Sequence, residues 1–494
     1  MQLPFGEWLP DQPDHLNPGS TVATNVYHAQ SSYKPVKGLV AYSGASNVTQ
    51  NAKGAGSFRD NTNTVFTFVG TKTDIYKLTS GTFASVKGSC TVSGGDTDFF
   101  TFTQFGQYVV ASNGVNPPMY YLMGTSTNFA TLQSLVTASG SGTVPAKFKV
   151  SGVIRDFFVS GNIENAKNRV AWSGINDLST WEAGVSSSDT QDLPGSGGQV
   201  VAITSGEVGY VFREDQIIRM DFVGGNVVFR FSVISPNRGA VYGQTVCQDN
   251  RQVFFYASDG FFQINGDQVL PIGTEKVNRF FDGDLNKAYT DRITAAVDPF
   301  NTLAIWLYPS KDNPNTTGVC DKLLIYNYVT QKWSIAKVKA SQIFKQFVVA
   351  NTVELMDIIS ENLEDINISL DTAFWTTGHL YLGAIDENFK AAIFSGKTLE
   401  AEIETKETEI FPGLRANITG VRPLVDTSSN VVVKTRDKLA DTVTSSSSST
   451  MNTTGIAPVR QSGRYFRANI KIPAESIWTN AQGIDLTASQ GGTR

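Results

Sequence analysis

What most restricts the fold of this 494-residue chain is a degenerate repeat of strand, turn and strand. Short alternating or continuous apolar runs, bounded by Gly, Asn, Asp or Ser, occupy residues 64–70, 107–111, 209–212, 252–257 and 303–308. Runs of that length and punctuation read as strands, not helices. Each is followed by a turn and a second strand carrying a large aromatic or aliphatic group. Taking Tyr76, Tyr120, Trp172, Ile218, Phe262, Tyr326 and Tyr381 as markers, the separations are 44, 52, 46, 44, 64 and 55 residues. A unit of about 45 residues made of strand and turn matches one four-stranded propeller blade. The markers therefore predict a mostly β, β-propeller-like fold of six or seven blades, with insertions at 309–321 and 337–371 filling the two longest gaps. Two ordinary β-sandwiches with evenly spaced hairpins are the competing architecture.

The propeller-like domain is expected over 61–395, after an N-terminal arm and first strands over 1–60. Beyond residue 395 the texture changes. Residues 400–409 (EAEIETKETE) read as a polar-out strand, and 415–425, 431–435 and 464–472 continue as strands, which predicts a separate C-terminal β-rich module over 396–494. Its serine run at 444–454 has too little apolar area to order itself and is expected as a mobile loop. Two helices interrupt the strands. One covers 275–282, with Val277, Phe280 and Phe281 at i, i+3 and i+4; the other covers 353–370, where Leu355, Ile359, Leu363, Ile366 and Leu370 form a stripe opposite Glu354, Glu361, Glu364 and Asp365.

Charged residues make up 17% of the chain and aromatic residues 11%, which excludes coiled coil and acidic disorder. Cys90, Cys247 and Cys320 are odd in number and far apart, so neither a disulfide framework nor a CxxC centre is expected; the thiols should be reduced and buried. The first residues lack the basic and apolar regions of a secretory signal, and no apolar run approaches the roughly eighteen residues a membrane helix needs. No membrane segment is expected, and folding is expected in a cytoplasm. The five N-x-[ST] sequons then read as chance occurrences. A formal charge of −5 without a basic stripe disfavours nonspecific attraction to phosphate backbones.

Chemistry-bearing motifs are sparse. His15, His28 and His379 are the only histidines, and none stands within metal-ligand spacing of another His or a Cys. GxSxG, GxxxxGK[ST] and HExxH do not occur, and the glycines of 54–57 fall far short of a dinucleotide fingerprint. Because propellers can host glycosidases, the pairs Asp96/Asp98, Asp282/Asp284 and Glu214/Asp215 need weighing, yet each reads better as solvated turn acids. Asp282-Gly283-Asp284 lacks the further oxygen ligands of a calcium loop, and Ser258-Asp259-Gly260 lacks the Trp of a sialidase-type box. The expectation is no catalytic residue, no cofactor and no metal.

Several stretches together resemble one family. Residues 169–181 (RVAWSGINDLSTW) are similar to its "strand, W-S, short turn, D-p-x-x-W" element, and 200–203 with 210–217, 253–262 and 271–277 continue the likeness. So do Asn25-Val26-Tyr27 and Tyr33-Lys34-Pro35 near the start, and 463–467, Trp478 and 483–485 near the end. The family is the tail nozzle or tail hub proteins of short-tailed bacteriophages, also called packaged-DNA stabilization proteins. The resemblance spans most of the chain; the acidic segment around 353–371 and the serine run depart from it.

The resemblance implies a structural virion protein, a self-associating ring of about six copies beneath the portal and adaptor and beside tail fibre or spike proteins. Its lumen would retain the packaged DNA and conduct it outward, contacting it weakly and without sequence specificity. An acidic or neutral bore suits such passage, since Lys and Arg would hold phosphates by counterion release, and the acids between Glu354 and Asp365 are candidates for its surface. Segments 309–321 and 444–454 are the candidates for a constriction that rearranges. The alternative is a carbohydrate-binding or carbohydrate-cleaving propeller, a tail spike or receptor-binding protein.

Overall fold

The computed structural model describes residues 1–492 except 16, 42–46, 80, 226, 250–251, 314–317 and 348–379. The expected helix at 353–370, and with it the acidic face, lies outside the described residues. The chain is mostly β and forms a seven-bladed propeller joined to a two-sheet sandwich. Blades 1 to 5 are antiparallel sheets of four strands each, at 54–85, 101–131, 148–192, 200–235 and 247–271. Blade 6 comprises Thr294–Asp298, Leu303–Tyr308, Cys320–Asn327 and the first half of the 16-residue strand Lys332–Phe347. The second half of that strand opens blade 7. It pairs with Leu380–Asp386, which pairs with Ala391–Ile393, and the outermost position is taken by Val40–Ala41 from upstream of blade 1.

Each interface between neighbouring blades has its own apolar core. Phe68 and Tyr121 lie between blades 1 and 2, Val110 and Phe158 between 2 and 3, and Val159 and Val211 between 3 and 4. Phe212 and Phe255, ring centroids 5.1 Å apart, join blades 4 and 5. Phe261, Trp306 and Trp333 fill the next interface, Ile325 and Ile343 the one after, and Tyr76 with Ile385 completes the circle between blades 7 and 1. Edge-on aromatic pairs of this kind add about 0.5–1.5 kcal/mol each beyond area burial.

The N-terminal residues are not a free arm. Gln2–Pro4 pairs with Ala481–Gln490 of the sandwich, and Trp8 is buried against Phe280 with its indole N–H donating to the Thr21 carbonyl at 3.1 Å. Ala23–Thr24 lies between the propeller and the sandwich, parallel to Lys332–Phe347 on one side and antiparallel to Ala401–Glu404 on the other. Blade 1 itself begins at Gly54, inside the span expected to hold the arm and first strands.

In the sandwich, Ile418, Val421, Val459 and Ile484 of one sheet meet Ile403, Val431, Val433 and Ile470 of the other, in a core continuous with that of blades 5 and 6. Residues 400–409 are not uniformly polar-out. Glu404 turns inward, 1% exposed, and is neutralised by Lys434 and by Arg467 Nε at 3.2 Å. The serine run is also more regular than its composition suggests. Thr444–Ser445 and Ser449–Thr450 both pair with the edge of Asn430–Arg436, so backbone hydrogen bonds supply the partners that side-chain burial cannot. The helix expected at 275–282 forms over Asn278–Asp284 with Phe281 buried, and a second helix, Leu132–Ser139, forms where none was expected.

His28 sits where sandwich and blade 6 meet. Its carbonyl accepts from Asn327 Nδ2 at 2.9 Å, its ring lies 4.8 Å from that of Tyr33, and Lys332 Nζ is 3.2 Å from Nε2. Burial first, then the Lys332 charge, pulls its pKa down to about 4. A lowered pKa means the unfolded chain takes up the proton first, so this contribution is present at neutral pH and lost as pH falls from 6.5 through 4. Urea unfolding should show about 2.5 kcal/mol less stability at pH 4.5 than at pH 7 from this group. In His28→Gln the difference between the two pH values should shrink by that amount.

Candidate functional site: the central channel

The innermost strands of the blades, Gly54–Arg59, Thr101–Phe105, Phe148–Ile154, Val200–Ile203, Cys247–Asp249, Thr294–Asp298 and the second half of Lys332–Phe347, surround a central cavity of about 700 Å³. Glycine sets how close two of the blades approach. A Cβ at Gly54 would stand 2.3 Å from the Phe100 carbonyl oxygen, and one at Gly70 would stand 2.4 Å from the Phe100 ring. The wall mixes apolar side chains, Phe102, Val150, Ile203 and Phe344 among them, with polar ones such as Ser151, Thr294, Gln342 and Lys345.

Hydrogen bonds join several of the blades toward the ends of the inner strands. Lys345 Nζ of blade 7 donates to the Gln248 carbonyl of blade 5 at 2.7 Å, spanning blade 6. Gln248 Nε2 donates to the Ser205 carbonyl at 2.6 Å, and Ser205 Oγ accepts from the Val153 amide at 2.9 Å, which carries the chain of contacts to blade 3. Thr103 and Ser151 hydroxyls, 2.9 Å apart, link blades 2 and 3.

One mouth is ionic. Lys53, Lys72 and Arg292 gather there with Asp96 and Asp291; Lys72 lies 3.1 Å from Asp96 and Lys53 lies 3.8 Å from Asp291. Burial lowers the Lys53 pKa, assisted by Arg292 and Lys72 and opposed by Asp291 and Asp96. Lys149 projects over the Phe99 ring at 4.6 Å, and burial lowers its pKa as well. Lys345 is shifted the same way by the same cause. These groups can hold a charged or hydrogen-bonding solute.

The residues weighed from sequence are scattered. Glycines 54–57 lie on the inner strand of blade 1 and form no phosphate loop. Asp96 is bound to Lys72, and Asp98 accepts from the Gly95 amide at 2.7 Å. Asp282 pairs with Lys287 at 2.7 Å, whereas Asp284 takes Lys322 at 2.8 Å and the Tyr308 hydroxyl at 2.7 Å. Glu214 accepts from Gln199 Nε2 at 2.8 Å, and Asp259 forms a two-pronged pair with Arg238. His15 packs edge-on against Tyr465, while His379 lies outside the described residues. Among the described residues no group of three His, Cys, Asp or Glu could hold a metal, and no helix is long and apolar enough to cross a membrane.

The element at 169–181 is a built turn in blade 3. Asp177 accepts from the Ser179 amide at 2.8 Å and from the Ser179 and Thr180 hydroxyls at 2.7 and 2.6 Å. Burial pushes its pKa up, but these bonds outweigh it and the net shift is downward. The indoles of Trp172 and Trp181 donate to the Ser187 and Leu178 carbonyls, each at 2.8 Å.

No family model matches the chain, and no curated protein matches it significantly. Similar solved structures include a crystal structure of the mitotic checkpoint complex (8% identity, 76% of this chain and 98% of that one, TM-score 0.38). They also include the computationally designed Ika8 protein (11% identity, 80% and 100%, TM-score 0.39). A third is the WD40 domain of Neurospora crassa Pan2 (8% identity, 74% and 96%, TM-score 0.39).

All three thiols are free and buried. Burial raises the pKa of Cys90, lifts Cys247 to about 12 and carries Cys320 higher still. Thiolate is the reactive form, so the folded protein at pH 8 should react with Ellman's reagent far more slowly than a free thiol. All three should titrate at once in guanidinium.

Proposed function

We propose that this chain is a structural virion protein, the tail nozzle or hub of a short-tailed bacteriophage, and that it performs no bond-making chemistry. The observation that carries the reading is the extended likeness to that family, spread over blades 3, 4 and 5, the N-terminal segment and the sandwich. A local likeness would touch one of these units; this one touches all of them.

In this reading about six copies form a ring beneath the portal and adaptor, and tail fibre or spike proteins attach to it. Its lumen lies between subunits, distinct from the channel inside each propeller. Blades that close on themselves, tied to the sandwich by a shared N-terminal thread, suit a wall that keeps its bore while DNA under pressure moves past. Charge supports the same role: −5 per chain becomes about −30 in a ring of six, and a wall of that sign does not retain phosphates.

Phage particles assembled without this gene product should lack the distal tail and leak DNA from filled heads, as seen by negative-stain microscopy. Full heads with normal tails that fail to adsorb would overturn the reading in favour of the carbohydrate-recognising one. Purified protein should show no tight, salt-sensitive binding to duplex DNA at low ionic strength, measured by fluorescence anisotropy.

A further inference from the structure

The channel inside the propeller has a chemistry of its own that a DNA conduit does not use. Its volume of about 700 Å³ lies within the range of small-molecule sites, about 300–1,000 Å³, which are apolar cavities with a few placed polar groups. Phe99, Phe102, Ile203, Val246, Ile343 and Phe344 supply apolar lining. Lys345 is the one basic side chain lining it among the described residues.

The surroundings leave the Lys345 ammonium undercommitted. One N–H donates to the Gln248 carbonyl at 2.7 Å, and the Asp249 carboxylate lies near enough to favour the charged form without an ion pair to it among the described residues. Two charged or titratable groups lie near. The Cys247 thiol is neutral at physiological pH, and Asp249 accepts the Tyr328 hydroxyl at 2.7 Å. A partly desolvated cation facing a cavity with apolar side chains in its wall gains most from one opposite charge delivered with an apolar body; a dianion would keep an uncompensated charge out of water.

We propose that the propeller channel binds an amphipathic monocarboxylate, its apolar body within the ring of inner strands and its carboxylate on the Lys345 ammonium. Burial, which disfavours the lone ammonium, also favours this pairing.

Isothermal titration of the full chain with octanoate, 1-octanol and octyltrimethylammonium tests it. Octanoate should bind one per chain and at least about tenfold more tightly than octanol, the gain expected of a charge-assisted hydrogen bond. The cation should bind most weakly. Lys345→Met should erase the preference for octanoate while Lys345→Arg keeps it. Equal affinities for octanoate and octanol in the unaltered protein, or an undiminished preference in Lys345→Met, would overturn the proposal. Should Lys345→Met fail to fold, acetylation of the unaltered protein followed by mass spectrometry decides: octanoate should slow modification of Lys345 selectively, and no protection counts against the site.

Discussion

A ring of sheets is only as secure as the joint between its last and first members, and here that joint is made by two residues from outside the repeat. Val40–Ala41 runs along Ala391–Ile393 and supplies blade 7 with the outer strand that the chain after blade 6 does not provide. Without it the last sheet would present an unpaired edge beside the core of Phe344, Ile385, Val69 and Tyr76, and the joint would keep only scattered backbone bonds such as that from the Val48 amide to the Phe389 carbonyl at 3.0 Å. The sandwich uses the same device, with Gln2–Pro4 laid against Ala481–Gln490. Both bodies are therefore completed by the first forty-one residues.

The repeat was legible because burial in a blade demands large side chains at a regular interval. Tyr76, Tyr120, Trp172, Ile218 and Phe262 each fall on the third strand of their blade, and Tyr326 falls on the third strand of blade 6. Tyr381 falls instead on Leu380–Asp386, the second strand of blade 7, so the interval is not kept there. What hydrophobic pattern does not carry is which backbone pairs with which. Nothing in a Val-Ala dipeptide announces a closing strand, and nothing in 332–347 announces one strand serving two blades. The pairing moves from Cys320–Asn327 to Leu380–Asp386 at Ala340, where both ladders shift register. The two short strands within the serine run left no mark for the same reason, since their partner is a ladder edge. The helix at Leu132–Ser139 left a faint mark, Leu132, Leu135 and Val136 at helical spacing, in a segment too short to weigh.

The channel was less legible still. Searching by motif looks for chemistry gathered in sequence, whereas each blade contributes one short strand to the wall and the residues that meet there are about a blade apart. Lys345 lies in the run 340–347 (ASQIFKQF) with no basic neighbour, and only the ring brings it to Gln248 of another blade. Conversely, acids that stand close in sequence are taken up by other partners: Asp96 by Lys72, Asp284 by Lys322 and Tyr308, and Glu214 by Gln199.

The pairing of the chain's beginning with its end also orders events in time. A ribosome releases residues 2–4 long before 481–490, and Val40–Ala41 before the 391–393 segment it joins. Blades 1 to 5 are local in sequence and can collapse as they emerge, but closure of the propeller waits for residues 391–393 and that of the sandwich for 481–490. Contacts so distant along the chain make folding slow. Until those partners have been made, the nascent polypeptide carries the unpaired strands Gln2–Pro4 and Val40–Ala41, and its yield in a cell depends on holding them apart from other chains.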